Sequence, residues 1–124
     1  MLTHEKVTTL ILGAAIEAHR HLGPGLIESI YTECLCNELG SRGLECHREV
    51  MLPVVYKGRE LTGRLRLDLV VADAVIVENK SVEAIVPIHT AQLLTYLRLS
   101  RFRVGLLINW NVRRLMDGVV RRVL

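Results

Sequence analysis

The sequence predicts an α/β fold in which helices pack on a mixed β-sheet. Two segments with apolar residues at helical spacing precede three strand-like segments, and a third helical segment precedes a further apolar strand. The first three strands are close enough in sequence to form a meander, whereas the helix before the fourth permits a parallel crossover. The predicted order is therefore α-α-β-β-β-α-β, in a single domain that spans residues 1–124.

The three helices are predicted from their starts and ends. Thr3 can cap a first helix that runs to about residue 21, and a Gly-Pro-Gly sequence at 23–25 then breaks it. A second helix is expected over 26–40. Pro87 is well placed as the first residue of a third helix that ends near residue 99.

Four strands are predicted, at 46–56, 61–71, 75–80 and 103–108. A Lys-Gly pair at 57–58 suits a two-residue hairpin turn between the first two. Leu67, Leu69 and Val71 are expected on one face of the second strand, with Arg66 and Asp68 on the other. The basic tail over 112–124 is only weakly periodic, and no element is predicted there.

Composition excludes several classes of protein. Half of the residues are hydrophobic and 23% are charged, which is typical of a globular rather than a disordered chain. No stretch approaches the roughly 20 apolar residues that a membrane span needs, and the first residues do not resemble a signal peptide. We therefore expect a cytoplasmic protein with no membrane partner.

The three cysteines do not predict a metal site. Cys34 and Cys36 lie two apart on a predicted helix and point in different directions, so they cannot bind one ion. Cys46 and His47 are adjacent, but the spacing matches no zinc motif. Reduced and mostly buried thiols are expected.

Two carboxylates and an ammonium converge on one predicted hairpin. Glu78 and Lys80 share a face of the third strand, Asn79 takes the other, and a turn centred on Asp73 would place Asp68 directly across from Glu78. Facing carboxylates repel each other unless a positive charge lies between them, and a hard divalent cation such as Mg²⁺ suits oxygen ligands. The alternative is an ordinary ion-pair cluster on a solvated strand face.

Polar residues also interrupt the apolar arcs of two predicted helices. Gln92 and Tyr96, spaced i and i+4 on the third helix, fall inside its apolar arc and would need hydrogen-bond partners if buried. A core Gln–Tyr hydrogen bond with no function would explain them equally well. Glu28 falls inside the apolar arc of the second helix, where it either reaches back to Gly25 as the N-cap or adds an oxygen ligand beside Asp68.

Arginines dominate the C-terminal segment. Seven arginines lie between residue 98 and the end, against one acidic residue, Asp117. The guanidinium group binds phosphate oxygens bidentately, so this segment favours an anionic partner; the alternative is a basic surface for solubility or a subunit interface. The residues predicted to bind nucleic acid are Arg113, Arg114, Arg121 and Arg122.

These residues resemble known motifs. The sequence Asp68…Glu78-x-Lys80 resembles the signature of the PD-(D/E)XK nuclease superfamily, and Gln92-x-x-x-Tyr96 resembles the extra motif of its RecB-like branch. The resemblance covers nearly the whole chain. The spaced triplet alone is weakly specific. Together with the second motif and the order of helices and strands, it makes the resemblance more specific.

A third motif narrows the resemblance. Gly25-x-x-Glu28-x-x-Tyr31 looks like the motif that names the small GxxExxY proteins, which belong to the same superfamily. Two positions depart from the pattern. Leu67 precedes the aspartate where proline would stand, and Asn79 occupies a position that is usually apolar in similar sequences.

The resemblance implies a restriction-endonuclease-like αβββαβ core with an extra N-terminal helix. It also implies Mg²⁺-dependent or Mn²⁺-dependent hydrolysis of phosphodiester bonds, with DNA as the expected substrate. Asp68 and Glu78 would be metal ligands, and Glu28 would be a further acidic ligand. A small domain of this kind is expected to need a homodimer or a larger protein partner to hold its substrate.

The remaining site residues would act on the nucleic acid. By the same resemblance, Lys80 would position the attacking water or stabilise charge on the phosphate, and Gln92 and Tyr96 would order the site and contact the strand. The alternative function is a catalytically weak or silent module on the same fold that binds nucleic acid or another protein.

Overall fold

A computed structural model describes residues 2–124, which form helices on both faces of one five-stranded sheet. The elements are α1 (His4–Leu22), α2 (Glu28–Ser41), β1 (Cys46–Tyr56), β2 (Arg59–Val71), β3 (Val75–Lys80), α3 (Pro87–Leu99), β4 (Val104–Asn109), a 3₁₀ helix (Leu115–Gly118) and β5 (Val119–Val123). The strand order is β1-β2-β3-β4-β5, in which β3 and β4 are parallel and the other neighbours antiparallel. The predicted mixed α/β fold is therefore confirmed.

The helix boundaries follow local capping chemistry. The Thr3 hydroxyl accepts a hydrogen bond from the Lys6 amide at 3.1 Å, and Pro87 begins α3 as predicted. The second helix begins later than predicted, with Ile27 as its N-cap and Glu28 as its first residue. Gly25 therefore does not cap α2, and the predicted cap contact from Glu28 to Gly25 is wrong.

The C-terminal tail contains a strand that the sequence did not predict. Strand β5 pairs antiparallel with β4 and forms an edge of the sheet. Only Val119 and Val120 of this strand pack against the two faces of the core, while Arg121 and Arg122 are exposed. Because an edge strand with two adjacent arginines shows no clear apolar alternation, its pattern was too weak to read.

The sheet separates two apolar layers. Helices α1 and α2 pack on one face, called here the α1/α2 face, and α3 packs on the other, called the α3 face. In β3, Val75 and Val77 point to the α1/α2 face and Ile76 points to the α3 face. No helix among residues 2–124 is long and apolar enough to cross a membrane.

The alternation of β2 changes beside Asp68, contrary to prediction. Leu69 and Val71 pack on the α1/α2 face, but Leu67 packs on the α3 face. Strand β2 pairs with β3 only over Leu69–Val71, and Glu49, opposite Asp68 on β1, has a left-handed φ of 51°. The ladder thus ends and the strands separate where the candidate site begins.

Strands β1 and β2 continue beyond the rest of the sheet as a two-stranded arm, defined here as residues 50–67. They pair to their common end, where Lys57 and Gly58 form the predicted turn with φ values of 49° and 78°. The six residue steps along β1 from Val50 to Tyr56 correspond to a projection of about 20 Å. The exposed apolar side chains on this arm are Met51, Val55, Tyr56 and Leu61.

Candidate active site

Asp68 and Glu78 lie where the ladder between β2 and β3 ends. The last ladder pair is Leu69 with Val77, so the next position along each strand carries one of the two carboxylates. The connecting turn is centred on Asp73, as predicted. The expectation that the hairpin brings Asp68 and Glu78 together is therefore met in the structure.

Each carboxylate accepts a hydrogen bond from the strand that carries the other. The Asp68 amide donates to Oε2 of Glu78 at 2.8 Å, and the Asn79 amide donates to Oδ2 of Asp68 at 2.9 Å. These two bonds continue the strand connection beyond the ladder through side-chain oxygens. They hold both carboxylates in place and leave the second oxygen of each free of hydrogen bonds within residues 2–124.

Glu78 is a buried acid with an unusually high proton affinity. Its side chain is 5% exposed. Burial, followed by the negative charge of Asp68, raises the pKa of Glu78 to about 8, against an ordinary value of 4.5. The Asp68 amide and the positive charges of Lys80 and Arg66 lower this pKa without cancelling the effect.

Asp68 is shifted in the same direction. Burial raises its pKa and the negative charge of Glu28 adds to this, while the hydrogen bond from the Asn79 amide and the charge of Lys80 lower it. Burial raises the pKa of both acids, Asp68 raises that of Glu78 further, and neither acid forms an ion pair in the described chain, so the pair is unlike a solvated ion-pair cluster.

Lys80 adjoins the carboxylates without pairing with them. It lies half-buried on the same face of β3 as Glu78, and its carbonyl accepts a hydrogen bond from the Trp110 amide at 2.9 Å. Within the described chain its ammonium forms no ion pair with Asp68 or Glu78. The Lys80 ammonium is therefore free to bind an oxygen of a ligand.

Asn79 is a structural anchor on the opposite face. Its side chain is fully buried. The side-chain nitrogen Nδ2 donates to Oγ1 of Thr32 at 3.1 Å, and the side-chain oxygen Oδ1 accepts from Nε1 of Trp110 at 2.8 Å. The indole of Trp110 stacks on Tyr31 with ring centroids 4.8 Å apart. Asn79, which stands where similar sequences usually carry an apolar residue, thus joins β3 to α2 and to the segment after β4.

Tyr31 accounts for part of the Gly-x-x-Glu-x-x-Tyr spacing. Its hydroxyl donates to the Gly23 carbonyl at 2.6 Å and accepts from the Leu26 amide at 3.0 Å. Gly25, between these two contacts, has a φ of 95° that favours glycine. The buried tyrosine therefore fixes the loop that leads into α2 and, through it, the position of Glu28.

Glu28 faces a cavity beside Asp68 rather than the core. It is exposed, because α2 begins at this residue and the preceding Leu26 and Ile27 lie outside the helix; its predicted place inside the apolar arc is wrong. The cavity has a volume of about 270 Å³. The residues that line it are Glu28, Ser29, Thr32, Arg48, Glu49, Arg66 and Asp68.

Arg48 and Arg66 are cavity residues that the sequence did not single out. Arg66 pairs with Glu49 at 3.0 Å, and its charge lowers the pKa of both Asp68 and Glu78. The alternation of charged residues along β2 could have indicated Arg66. Arg48 could not have been found in this way, because its position depends on how β1 crosses α2.

Tyr96 approaches the site from α3, whereas Gln92 does not contact it. Burial raises the pKa of the half-buried Tyr96, and the negative charges of Glu78 and Asp68 raise it further, so its hydroxyl lies within electrostatic range of both carboxylates. Gln92 is exposed, and within residues 2–124 the two side chains form no hydrogen bond with each other. The predicted burial of Gln92 is wrong.

Gln92 is exposed because only a narrow stripe of α3 is buried. Two of the apolar residues of this helix are exposed: Ile88 is 69% exposed and Leu99 is 45% exposed. Only Leu93 and Leu97 of this helix are fully buried. A helix that presents an apolar edge to solvent misleads any assignment of its buried arc from hydrophobicity alone.

The four arginines predicted to bind nucleic acid do not share one surface. Arg113 and Arg114 are exposed in the segment after β4, which begins beside Lys80. Arg121 and Arg122 are consecutive on β5, so they point to opposite faces of the sheet. Their binding roles stay predictions, with Arg113 and Arg114 at the end of the sheet that carries the carboxylates.

The donor set at Asp68 and Glu78 fits a hard divalent cation. Both groups offer a carboxylate oxygen without a hydrogen bond, and a cation would offset the negative charge of Asp68, which after burial is the second cause of the raised pKa of Glu78. No group of three or more Asp, Glu, His or Cys side chains in residues 2–124 is arranged to hold a metal. An ion held here by two carboxylates would complete its shell with water or substrate oxygens, as Mg²⁺ commonly does.

A buried glutamate and a half-buried aspartate with an adjacent lysine, at the open end of a hairpin in a mixed sheet, define a site suited to metal-assisted phosphodiester chemistry. The sequence model of the PD-(D/E)XK nuclease superfamily matches residues 5–123. The chain belongs to the PD-(D/E)XK nuclease superfamily, whose members are usually nucleases. Its placement in the GxxExxY group and in the branch with the Gln-x-x-x-Tyr motif stays a prediction.

Comparison with curated proteins found no match, and comparison with solved structures also found none.

Proposed function

We propose that this protein is a Mg²⁺-dependent or Mn²⁺-dependent nuclease that hydrolyses phosphodiester bonds in DNA, acting as a single domain. The observation that carries the proposal is the pair of buried Glu78 and half-buried Asp68, which two reciprocal hydrogen bonds hold in place and which keeps one oxygen of each group free of hydrogen bonds in the described chain. A structural role alone does not explain why an acid should be buried with a pKa near 8.

The metal would be held by Asp68 and Glu78, with Glu28 across the cavity as a further carboxylate. When bound, the ion would lower the pKa of a coordinated water and neutralise charge on the phosphate oxygens. The chain's own contribution is rigidity, because each carboxylate is tied by a backbone amide and cannot swing into solvent. Glu28 lies on the first turn of α2 and is exposed, so its side chain can change position more easily than the two fixed carboxylates.

Lys80 would contact a phosphate oxygen or the attacking water. Three features support this role: it shares the strand face of Glu78, it is half-buried, and it has no ion-pair partner in the described chain. A lysine used only for structure would be expected to pair with one of the two nearby acids. Its ammonium instead lowers the pKa of both carboxylates from a distance.

The nucleic acid would cross the site between the cavity and α3. Arg48 and Arg66 at the cavity and Arg113 and Arg114 after β4 supply positive charge on both sides of the carboxylates. Such charges bind phosphates without reading sequence. Arg121 and Arg122 would add affinity farther along the sheet.

On α3, Tyr96 would contact the strand near the reacting phosphate, since its hydroxyl lies in range of both carboxylates. Gln92, one turn earlier and exposed, would contact the strand farther out. Neither residue would hold the metal.

A protein-binding module on the same fold is the second candidate. The observation that favours it is the two-stranded arm, which presents Met51, Val55, Tyr56 and Leu61 to solvent. Exposed apolar residues gathered on a projecting element are typical of an interface, here with a second copy or a larger partner. A nuclease of this size could use the same arm to dimerise. The arm therefore does not distinguish the nuclease from the protein-binding module, whereas a cleavage assay does.

The proposal is tested by incubating the protein with single-stranded, duplex and branched DNA and RNA, with Mg²⁺, with Mn²⁺ or with a chelator. We expect cleavage of a DNA substrate that requires the metal and is lost in Glu78→Gln. Glu33→Gln is the matched control, because Glu33 is exposed on α2 and should leave cleavage unchanged. Binding without cleavage of any substrate under either metal would favour the silent module instead.

A further inference from the structure

Two cysteines meet across α2 and β1. The sulfur of Cys36, on α2, lies 2.7 Å from that of Cys46, the first residue of β1. Both side chains are only half-buried, unlike the buried thiols expected from the sequence, and no disulfide joins them. Cys34 is also half-buried, and in the described chain it forms no hydrogen bond with either sulfur.

The contact makes the two thiols chemically different. The hydrogen bond between the thiols, in which either sulfur can be the donor, lowers the pKa of Cys36, and the positive charge of Arg48 lowers it further, against the effect of burial. The same hydrogen bond and burial raise the pKa of Cys46. Of the two thiols, Cys36 is therefore the one that gives the nucleophilic thiolate more readily.

We propose that Cys36 and Cys46 form a reversible oxidation site that closes to a disulfide in the presence of a peroxide. The sulfurs need to approach by only about 0.7 Å to reach the S–S bond length of about 2.05 Å, which side-chain rotation can supply. Partial exposure admits a small oxidant. The loop closed by the bond runs from one residue to the other through the end of α2.

The reaction balances with one peroxide. The Cys36 thiolate attacks a peroxide oxygen. An S–O bond forms, the O–O bond breaks, and hydroxide departs, so that Cys36 becomes a sulfenic acid. The sulfur of Cys46 then attacks the sulfur of the sulfenic acid; the S–S bond forms, the S–O bond breaks, and the Cys46 proton leaves with the departing oxygen as water. The two thiols together lose two electrons, which reduce the peroxide.

The bond would join two walls of the cavity beside Asp68. Thr32, one helical turn before Cys36, lines this cavity from α2, and Arg48, two residues after Cys46, lines it from β1. Oxidation would therefore hold these walls at a fixed separation. This consequence for substrate access rests on the proposed function, whereas formation of the bond does not.

The experiment counts thiols in the folded protein. Wild type is treated with hydrogen peroxide, its remaining thiols are alkylated, and intact mass and peptide mapping are recorded. We expect two of the three cysteines to become unreactive, so that the protein is lighter by two hydrogen atoms before alkylation and gains one alkyl group instead of three. We also expect a peptide that links Cys36 to Cys46, and full recovery with dithiothreitol. Cys34→Ser should behave in the same way. In Cys46→Ser, Cys36 should stop at a sulfenic acid that a dimedone reagent traps.

Three results would overturn the proposal: a link that involves Cys34, oxidation of Cys36 to sulfinic acid in wild type without any S–S bond, or equal dimedone labelling of Cys36 in wild type and Cys46→Ser. Circular dichroism of each variant establishes that it is folded. Because every readout is covalent, the proposal stands or falls independently of nuclease activity.

Discussion

Replacing Glu78 by glutamine should stabilise the metal-free protein at alkaline pH. Glutamine keeps a carbonyl oxygen to accept the hydrogen bond from the Asp68 amide but carries no charge. The variant therefore removes the charge repulsion between Asp68 and the buried Glu78 and retains the contact that joins β2 to β3. This is an unusual expectation for a substitution at a fully buried polar position, where most changes destabilise.

The size of the effect follows from the pKa. Glu78 titrates near 8 in the folded protein and at an ordinary 4.5 when exposed, a difference of about 3.5 pH units. At about 1.4 kcal/mol per pH unit, ionisation of this one group lowers the free energy of unfolding by an upper limit of about 5 kcal/mol. Relaxation and water entry around the pair reduce this to a few kcal/mol.

The sign of the pH dependence follows from which state of the protein, folded or unfolded, binds the Glu78 proton more tightly. The folded state keeps the Glu78 proton up to a higher pH than the unfolded state does, so this contribution is fully present below about pH 4.5. It is lost as the pH rises towards 8 and stays lost above that value. Asp68, whose pKa is also raised, contributes with the same sign.

The assay is urea denaturation followed by circular dichroism at several pH values between 5 and 9, with a chelator and constant ionic strength. We expect wild type to lose a few kcal/mol across this range and Glu78→Gln to lose much less, so that the variant is the more stable protein at pH 9. Glu33→Gln, on exposed α2 surface, should follow wild type. Parallel curves for wild type and Glu78→Gln would refute the reasoning.

Three further predictions concern the metal, the basic segment and the buried network. Mg²⁺ or Mn²⁺ should raise the thermal midpoint, more at pH 9 than at pH 6 because the ligands must lose their protons, and calorimetry should show that Asp68→Asn abolishes the effect. Trp110→Phe should cost about 1–3 kcal/mol in urea denaturation, since it leaves the buried Asn79 carbonyl oxygen without its donor. A quadruple glutamine variant should weaken DNA binding at low salt and flatten the slope of log K against log salt by about 2 to 4; it replaces Arg113, Arg114, Arg121 and Arg122.

Each of these has a contrary outcome. Equal metal binding by wild type and Asp68→Asn would remove the carboxylates from the metal site. A Trp110→Phe variant as stable as wild type would mean that the network around Asn79 is solvated rather than buried. Unchanged DNA affinity and salt slope in the quadruple variant would assign the arginines to solubility or to a subunit interface.

Local chemistry explains which elements could be predicted. The boundaries of α3 follow from Pro87, and the turn between β1 and β2 follows from the Lys-Gly pair, because each depends on adjacent residues only. Strand β5 depends on pairing with β4, which neighbouring residues do not reveal, so it was missed. The superfamily could be predicted because Asp68, Glu78 and Lys80 lie on one hairpin, where register follows from the turn.

The less predictable parts of the site arise from long-range packing. The role of Asn79 depends on Trp110 and Thr32, which are far from it in sequence. The exposure of Gln92 depends on how little of α3 the sheet covers. The meeting of Cys36 and Cys46 depends on the angle at which α2 leads into β1, and no motif marks it.

The most direct test of the central claim is a single-turnover cleavage assay on one DNA substrate, with binding measured in parallel. Wild type, Glu78→Gln, Lys80→Ala and the control Lys6→Ala, at an exposed position on α1, are compared under saturating Mg²⁺. We predict that Glu78→Gln and Lys80→Ala bind the DNA as wild type does and do not cleave it, while Lys6→Ala cleaves at the wild-type rate. Wild-type cleavage rates in both Glu78→Gln and Lys80→Ala would contradict the assignment of this hairpin as the catalytic centre.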